Sequence, residues 1–417
     1  MMTINRRRFL ELMALSSAGL LGSRYLPAQT VTNNSSPSDS PPVLQCPTET
    51  GITVVWAVSR SATGTVEYGT APDKLDRTAH GDIFGLKPFN SRFLQVRIDG
   101  LKPNTRYFYR TVTRPMKFEH AYSIKQEEPV AGEVFSFETS GAGTRSGTFS
   151  TINDTHNNQS TLKLLTDRLK QINSSYTVWN GDLVDSFDNE NIAVEAVLRP
   201  ANAAFAAQNP MLFVPGNHDY RGEWARNTPQ ALPAWEHNDP KDKKFGRNFV
   251  VRTGPLALIG LDTGEDKPDR HPAWAGLSYF EPYRVGQRDW LERALKSKAV
   301  ASASFVVAFC HIPLFSPDPN ANGGDTLEGY ARFQRQANEL WSPLLSKYGV
   351  QALITAHTHR FKYFPADQTR KWTQISGGGP QNTSTVIHGK AEGNTLEIIA
   401  DDVIGNKELG RWQFKKR

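Results

Sequence analysis

The side chains of this chain that could do chemistry gather in five short motifs. They are Asp154-Thr155-His156, Gly181-Asp182-Leu183-Val184-Asp185, Gly216-Asn217-His218-Asp219, a lone His311, and Ala356-His357-Thr358-His359. Each follows an apolar run that reads as a strand, and loops at strand ends are where α/β proteins assemble sites. Five of the ten histidines fall in these motifs. One such histidine alone would more often be a packed or surface residue, but five strand-end motifs of O and N donors point to metal binding. Carboxylate, amide and imidazole suit Mn, Fe, Zn or Ni, and no thiolate is present to favour a softer ion. The two cysteines do not change this: Cys310 sits in the apolar A-F-C-H and packs as a small hydrophobe, and Cys46 belongs to a distant segment. A disulfide framework and a zinc–thiolate site are both disfavoured.

The elements that must position these motifs follow from the patterning. Residues 147–153, 175–180, 210–215, 256–262, 304–311 and 351–355 read as strands, and 161–172, 193–208 and 285–295 as helical stretches, which predicts sheet flanked by helices. Ahead of them, residues 42–139 carry short β-branched and aromatic runs at 52–58, 65–68, 93–98, 106–113 and 134–139. Turn clusters such as Lys102-Pro103-Asn104 separate the runs, the pattern of an antiparallel β-sandwich. A Gly-rich joint at 140–147 separates the two parts. The expected fold is therefore α+β and multidomain, with a sandwich at 42–139 and a site-bearing domain at 140–417.

In order and spacing the motifs resemble the metallophosphoesterase (calcineurin-like phosphoesterase) family, whose signature is D-x-H, G-D-x-x-D, G-N-H-D/E, a lone His and G-H-x-H. The likeness covers about residues 147–365 and departs at Ala356, where the family usually has Gly; an alanine there implies an ordinary backbone conformation. The phrases V-V-W at 54–56, V-E-Y-G at 66–69, the run 100–110 and F-S-F-E-T at 135–139 resemble the fibronectin III-like N-terminal domain of purple acid phosphatases. The resemblance implies an αββα sandwich of two sheets, with residues 385–415 completing the second sheet. It also implies a binuclear centre: Asp154, His156 and His359 on one metal, Asn217, His311 and His357 on the other, and Asp182 bridging. His218 would be a general acid held in its tautomer by Asp185, although an Asp after a strand also suits a helix cap. Two ions ~4 Å apart can clamp an in-line displacement, and a bridging water can be the hydroxide that attacks phosphorus. Purple acid phosphatases carry a tyrosine ligand three residues after the bridging aspartate. This chain has Asp185 there, and has His156 where they lack histidine, so a tyrosinate-coloured iron centre is not expected.

Other candidates rank lower. Gly377-Gly378-Gly379 could approach a phosphate but reads as a turn, Asp262 as a turn residue, and His237, His271 and His388 as surface residues. The polar stretch 221–248 is an irregular insertion placed to select substrate or to be a plain surface excursion.

Residues 1–28 run from Arg6-Arg7-Arg8-Phe9-Leu10 through an apolar stretch, Leu12 to Gly22, to small residues near Ala28. That is a signal-peptide plan of the twin-arginine type, too short to span a bilayer. Residues 29–41 read as a flexible linker. These features predict a periplasmic or secreted protein that engages the twin-arginine machinery transiently and has no stable membrane anchor. The leader supplies half of the formal +6 charge, and the small remainder gives no reason to expect nucleic-acid binding. The expected function is hydrolysis of a small phosphate ester, a monoester in preference to a cyclic-nucleotide or other diester. A non-catalytic binding protein on a degenerate scaffold is the rival of another class.

Overall fold

The computed structural model describes residues 36–237, 239–318, 323–324 and 326–417. The expected signal peptide and most of the expected linker lie outside them. Two mixed sheets form the centre. The first has nine strands in the order Lys407–Lys415, Thr395–Asp402, Thr385–Glu392, Ser146–Ile152, Tyr176–Asn180, Met211–Val214, Val43–Thr48, Gly51–Ala57 and Phe93–Ile98. The second has six: Phe249–Thr253, Leu256–Leu261, Phe305–Cys310, Ala352–Thr355, Thr373–Ser376 and Lys362–Phe364. Between them lies a core of Phe149, Val178, Leu212, Phe305, Phe309 and Ile354, all buried. Both faces of these central strands are covered, so they read as continuous apolar runs instead of alternating ones.

Helices cover the outer faces. Gln159–Ile172 buries Leu162, Leu165 and Leu169, spaced for one helical stripe, against the first sheet. Its N-terminus is capped by the Asn158 side chain on the Thr161 N–H, worth about 1 kcal/mol, and Asn173 ends it in the left-handed region. Phe280–Lys296 and Ala331–Lys347 pack on the second sheet through Trp290, Leu291, Trp341 and Leu345. The latter helix is not among the expected elements, and Pro343 lies within it. The helix expected over 193–208 stops by Leu198, because Pro200 has no N–H to continue it and Ala201 takes φ +52°.

The β-rich N-terminal part is a sandwich. Val43–Thr48, Gly51–Ala57 and Phe93–Ile98 face a sheet centred on Ala62–Gly69, Arg106–His120 and Phe135–Glu138, with Trp56, Tyr107, Tyr109 and Phe137 between them. The strand Val43–Thr48 pairs in parallel with Met211–Val214, so the nine-stranded sheet runs through both parts of the chain. Residues 37–41, expected to be flexible linker, are pinned instead: Asp39 pairs with Arg92 and Arg199, and its N–H donates to Ala57 O. The C-terminal strands also differ from expectation. They extend the first sheet through antiparallel pairing of Thr385–Glu392 with Ser146–Ile152, and not the second. Among the described residues, no helix is long and apolar enough to cross a membrane.

Candidate active site

All five motifs sit at the C-terminal ends of parallel strands, three in one sheet and two in the other, so the two-sheet packing brings them face to face. Asp154, His156, Asp182, His357 and His359 all have φ between +44° and +70°. L-residues hold that conformation at a cost of about 1–2 kcal/mol each, so something must enforce it. Backbone bonds between adjacent loops do: the N–H groups of Asp154, His156 and Asn157 donate to the carbonyls of Gly181, Asp182 and Leu183. Asp219 adds a buried anchor, its carboxylate accepting the N–H groups of Gly216, Asp182 and Leu183 at 2.8–3.0 Å. No role was expected for Asp219, although it closes the G-N-H-D motif. Gly181 has φ +81°, and a Cβ there would lie 2.3 Å from Nδ1 of His311. Ala356 is not among the positive-φ residues, as its identity implied; the left-handed turn falls on His357.

The candidate ligand atoms form two groups that share Asp182, and a third of His156, Asp185 and His218 lies against the first. Asp154, His156, Asp182 and His359 have donor atoms within 4.8 Å of one another, as do Asp182, His311 and His357. The Nε2 atoms of His156 and His359 stand 3.0 Å apart, and His359 Nε2 is 3.5 Å from Asp154 Oδ1. In the second group, His311 Nε2 is 3.1 Å from Asp182 Oδ2, and His357 Nδ1 is 2.9 Å from Asn217 Oδ1. His311 gives its Nδ1 side to the Asn180 carbonyl at 2.9 Å, which directs Nε2 inward. That Nε2 is fully buried with no well-formed hydrogen bond.

Burial raises the Asp154 carboxyl to about 7, the neighbouring Asp182 adding to it, and burial lowers His357 to about 3, helped by His311. Burial also works against a charged His311, but Asp182 outweighs it and lifts that ring to about 10. A buried imidazole nitrogen that faces a carboxylate oxygen at 3.1 Å without a well-aligned hydrogen bond, converging imidazoles and crowded carboxylates are what a pair of cations would satisfy, so the residues fit a binuclear centre.

His218 lies outside both groups that share Asp182. Its N–H donates to Asp182 Oδ1 and its ring packs edge-on to His156 at 5.0 Å. The expected Asp185–His218 pairing takes a different form. It is the Asp185 backbone carbonyl that meets His218 Nδ1, at 2.8 Å, whereas the Asp185 carboxylate binds His156 Nδ1 at 2.7 Å. The carboxylate thus orients a candidate metal ligand, which leaves His218 to a carbonyl no side-chain motif could reveal. Asn153, also not anticipated, donates to Asp154 Oδ2 at 2.7 Å and to Gly378 O at 2.8 Å. The triple glycine is a close-packing device: a Cβ on Gly379 would lie 2.5 Å from His359 Cβ.

Asp262 is buried and accepts from Tyr220 OH and from Gly264 N–H, so it is a turn residue that also fixes the loop after His218. His237, His271 and His388 are apart from the site but partnered, with Phe245 O, Glu328 and Asp401. Cys46 and Cys310 are buried free thiols. Arg221 opens the stretch 221–248 singled out in the sequence, but no role of its own was expected for it. Its guanidinium pairs with Glu265 and Asp266, and Nη1 lies 3.1 Å from His218 Nε2.

Residues 148–361 match the calcineurin-like phosphoesterase family, and residues 42–139 match the N-terminal domain of purple acid phosphatases. The chain belongs to the calcineurin-like phosphoesterase family: it is a phosphoric ester hydrolase whose reaction is metal-dependent. Purple acid phosphatase 21 of Arabidopsis thaliana is 22% identical over 347 residues, spanning 80% of this chain and 67% of its own length. Among solved structures, the purple acid phosphatase PPD1 from yellow lupin (Lupinus luteus) superposes with a TM-score of 0.63 at 14% identity, covering 90% of this chain and 74% of that one. PhoD gives a TM-score of 0.57 at 11% identity, covering 90% and 88%.

Proposed function

We propose that the protein hydrolyses phosphate monoesters, with Asp154, His156 and His359 holding one metal ion, Asn217, His311 and His357 a second, and Asp182 common to both. The observation that carries this reading is the position of Asp182 Oδ2, 3.1 Å from Nε2 of His311 and 3.8 Å from Nε2 of His156, one oxygen facing both donor sets. Mn, Fe, Zn or Ni held by these residues would supply charge for the phosphoryl oxygens and a water acidic enough to attack near neutral pH.

The protein's own groups do the rest. With the Nδ1 side of His218 given to the Asp185 carbonyl, Nε2 accepts from Arg221 Nη1 at 3.1 Å in this state, and it would carry a proton to the leaving oxygen once that contact opens. The Asp182–His218 main-chain bond fixes that ring relative to the shared carboxylate. The monoester preference is supported by the paired domains, which match relatives named as phosphatases along most of the chain. Elemental analysis together with hydrolysis of 4-nitrophenyl phosphate and bis(4-nitrophenyl) phosphate tests it. About two metals per chain and faster monoester turnover are expected. Faster diester turnover makes the protein a phosphodiesterase, and absence of both metal and turnover after reconstitution overturns the reading.

The leader motif supports action outside the cytoplasm after twin-arginine export. Replacing Arg6 and Arg7 by lysine is expected to leave the protein in the cytoplasmic fraction; unchanged export would argue for the general secretory route.

A further inference from the structure

Beside the candidate metal site the structure holds a cavity of about 540 Å³, half of whose lining comes from the irregular stretch 221–248. Its walls come from two segments. One is the turn of 3₁₀ helix Glu223–Gln230 with Arg221 before it and Arg247 after it; the other is the loop carrying Glu265, Trp274, Leu277 and Phe280. The volume lies within the range of small-molecule sites, and the apolar lining with a few fixed polar groups has their usual character.

Three observations connect this cavity to the reaction. The Arg221 guanidinium stands between the two places: Nη1 is 3.1 Å from His218 Nε2, and its carbon lies 5.6 Å from the Trp274 ring centroid. The cavity therefore begins one guanidinium away from the atom assigned to protonate the leaving group. The walls are also held in place before any ligand arrives. Gln95 of the N-terminal sandwich donates to the carbonyls of Pro229 and Gln230, and Arg247 to Leu232 O and Thr228 Oγ1. Asp269 caps the following helix by accepting the N–H groups of Phe280 and Glu281. Finally, the chemistry is that of a flat aromatic guest: indole and phenyl rings, with the guanidinium groups of Arg221, Arg226 and Arg247 among them, and cations over ring faces attract.

We infer that this cavity is the leaving-group subsite, built for a flat aromatic alcohol of fused-ring size, with Trp274 as its specificity-determining residue. The inference rests on the hydrolase reading above. Phenyl phosphate and 2-naphthyl phosphate have leaving groups of similar acidity, so their difference reports the pocket and not the chemistry. For the metal-loaded wild type, kcat/KM is expected to favour the naphthyl ester about tenfold, mainly through KM. Trp274→Ala should bring the ratio close to one, and Trp274→Phe should retain most of it. In parallel, 2-naphthyl phosphate titrated into chelator-treated protein, where it is not turned over, should bind wild type several-fold tighter than Trp274→Ala. A wild-type ratio near one, or a ratio and an affinity unmoved by Trp274→Ala, overturns the subsite while leaving the hydrolase standing. No turnover of either ester by fully metal-loaded protein removes the hydrolase reading and the subsite with it.

Discussion

In the candidate metal site, each candidate ligand comes from a segment of at most five residues whose backbone is fixed by its immediate neighbours in the fold. Asp154, Asp182 and His357 stand at strand ends in left-handed conformations that adjacent loops enforce. In the cavity beside it, the wall is drawn from residues 220–280 and is held from outside, by Gln95 across the N-terminal sandwich and by Asp269 at a helix start. The first region is defined by particular donor atoms, which few other side chains supply. The second is defined by shape, which many side chains could supply. A site of the first kind is common to a whole family of reactions, whereas one of the second kind can set which ester is taken.

The contrast can be broken most severely at Asp182. Asp182→Ala removes the oxygen that faces both donor groups, and metal content together with activity should fall to background; retention of two metals would show that the shared carboxylate is not essential. His218→Ala should keep both metals and lose about 10²–10⁴-fold in kcat, the range for a general acid. The loss should be smaller on esters of acidic phenols, which leave without a proton; an equal loss on every leaving group would assign His218 another part. Asp185→Asn sharpens the finding that its carboxylate serves His156. Metal affinity should weaken about 10–100-fold, as for other groups that orient a ligand, with kcat near wild type once metal saturates. A fall in kcat at saturating metal would instead return Asp185 to His218. The smallest effect is expected at Gln95→Ala, which removes two hydrogen bonds to the cavity wall and should cost about 1–2 kcal/mol at most in thermal or denaturant unfolding. If the sandwich buttresses the cavity, KM for 2-naphthyl phosphate should rise modestly while 4-nitrophenyl phosphate turnover holds. Unchanged KM would confine the sandwich to a packing role.

How much could be read in advance varied by region. The strands at 52–58, 93–98 and 134–139 were legible because short β-branched and aromatic runs between turn residues leave few alternatives, and they are found at Gly51–Ala57, Phe93–Ile98 and Phe135–Glu138. The strand Val43–Thr48 was not, since V-L-Q-C-P-T has no alternation, being covered on both sides, and its parallel partner lies over 160 residues away at Met211. Ala331–Lys347 was missed although Ala337, Trp341, Leu344 and Leu345 form an apolar face, and Pro343 is set among them.

What the residues determined by themselves was the donor set. Imidazole, amide and carboxylate at fixed short spacings after apolar runs point to cation binding, because donor type and strand-end position are both written in the local sequence. Only the tertiary structure decided that the Asp185 carboxylate turns to His156, that Asp219 ties two loops together, that the C-terminal strands widen the first sheet, and that Trp274 lies one guanidinium from His218. Each of these joins segments whose meeting depends on how two sheets and their covering helices pack. Hydrophobic periodicity records which side of an element is buried, but not what it is buried against.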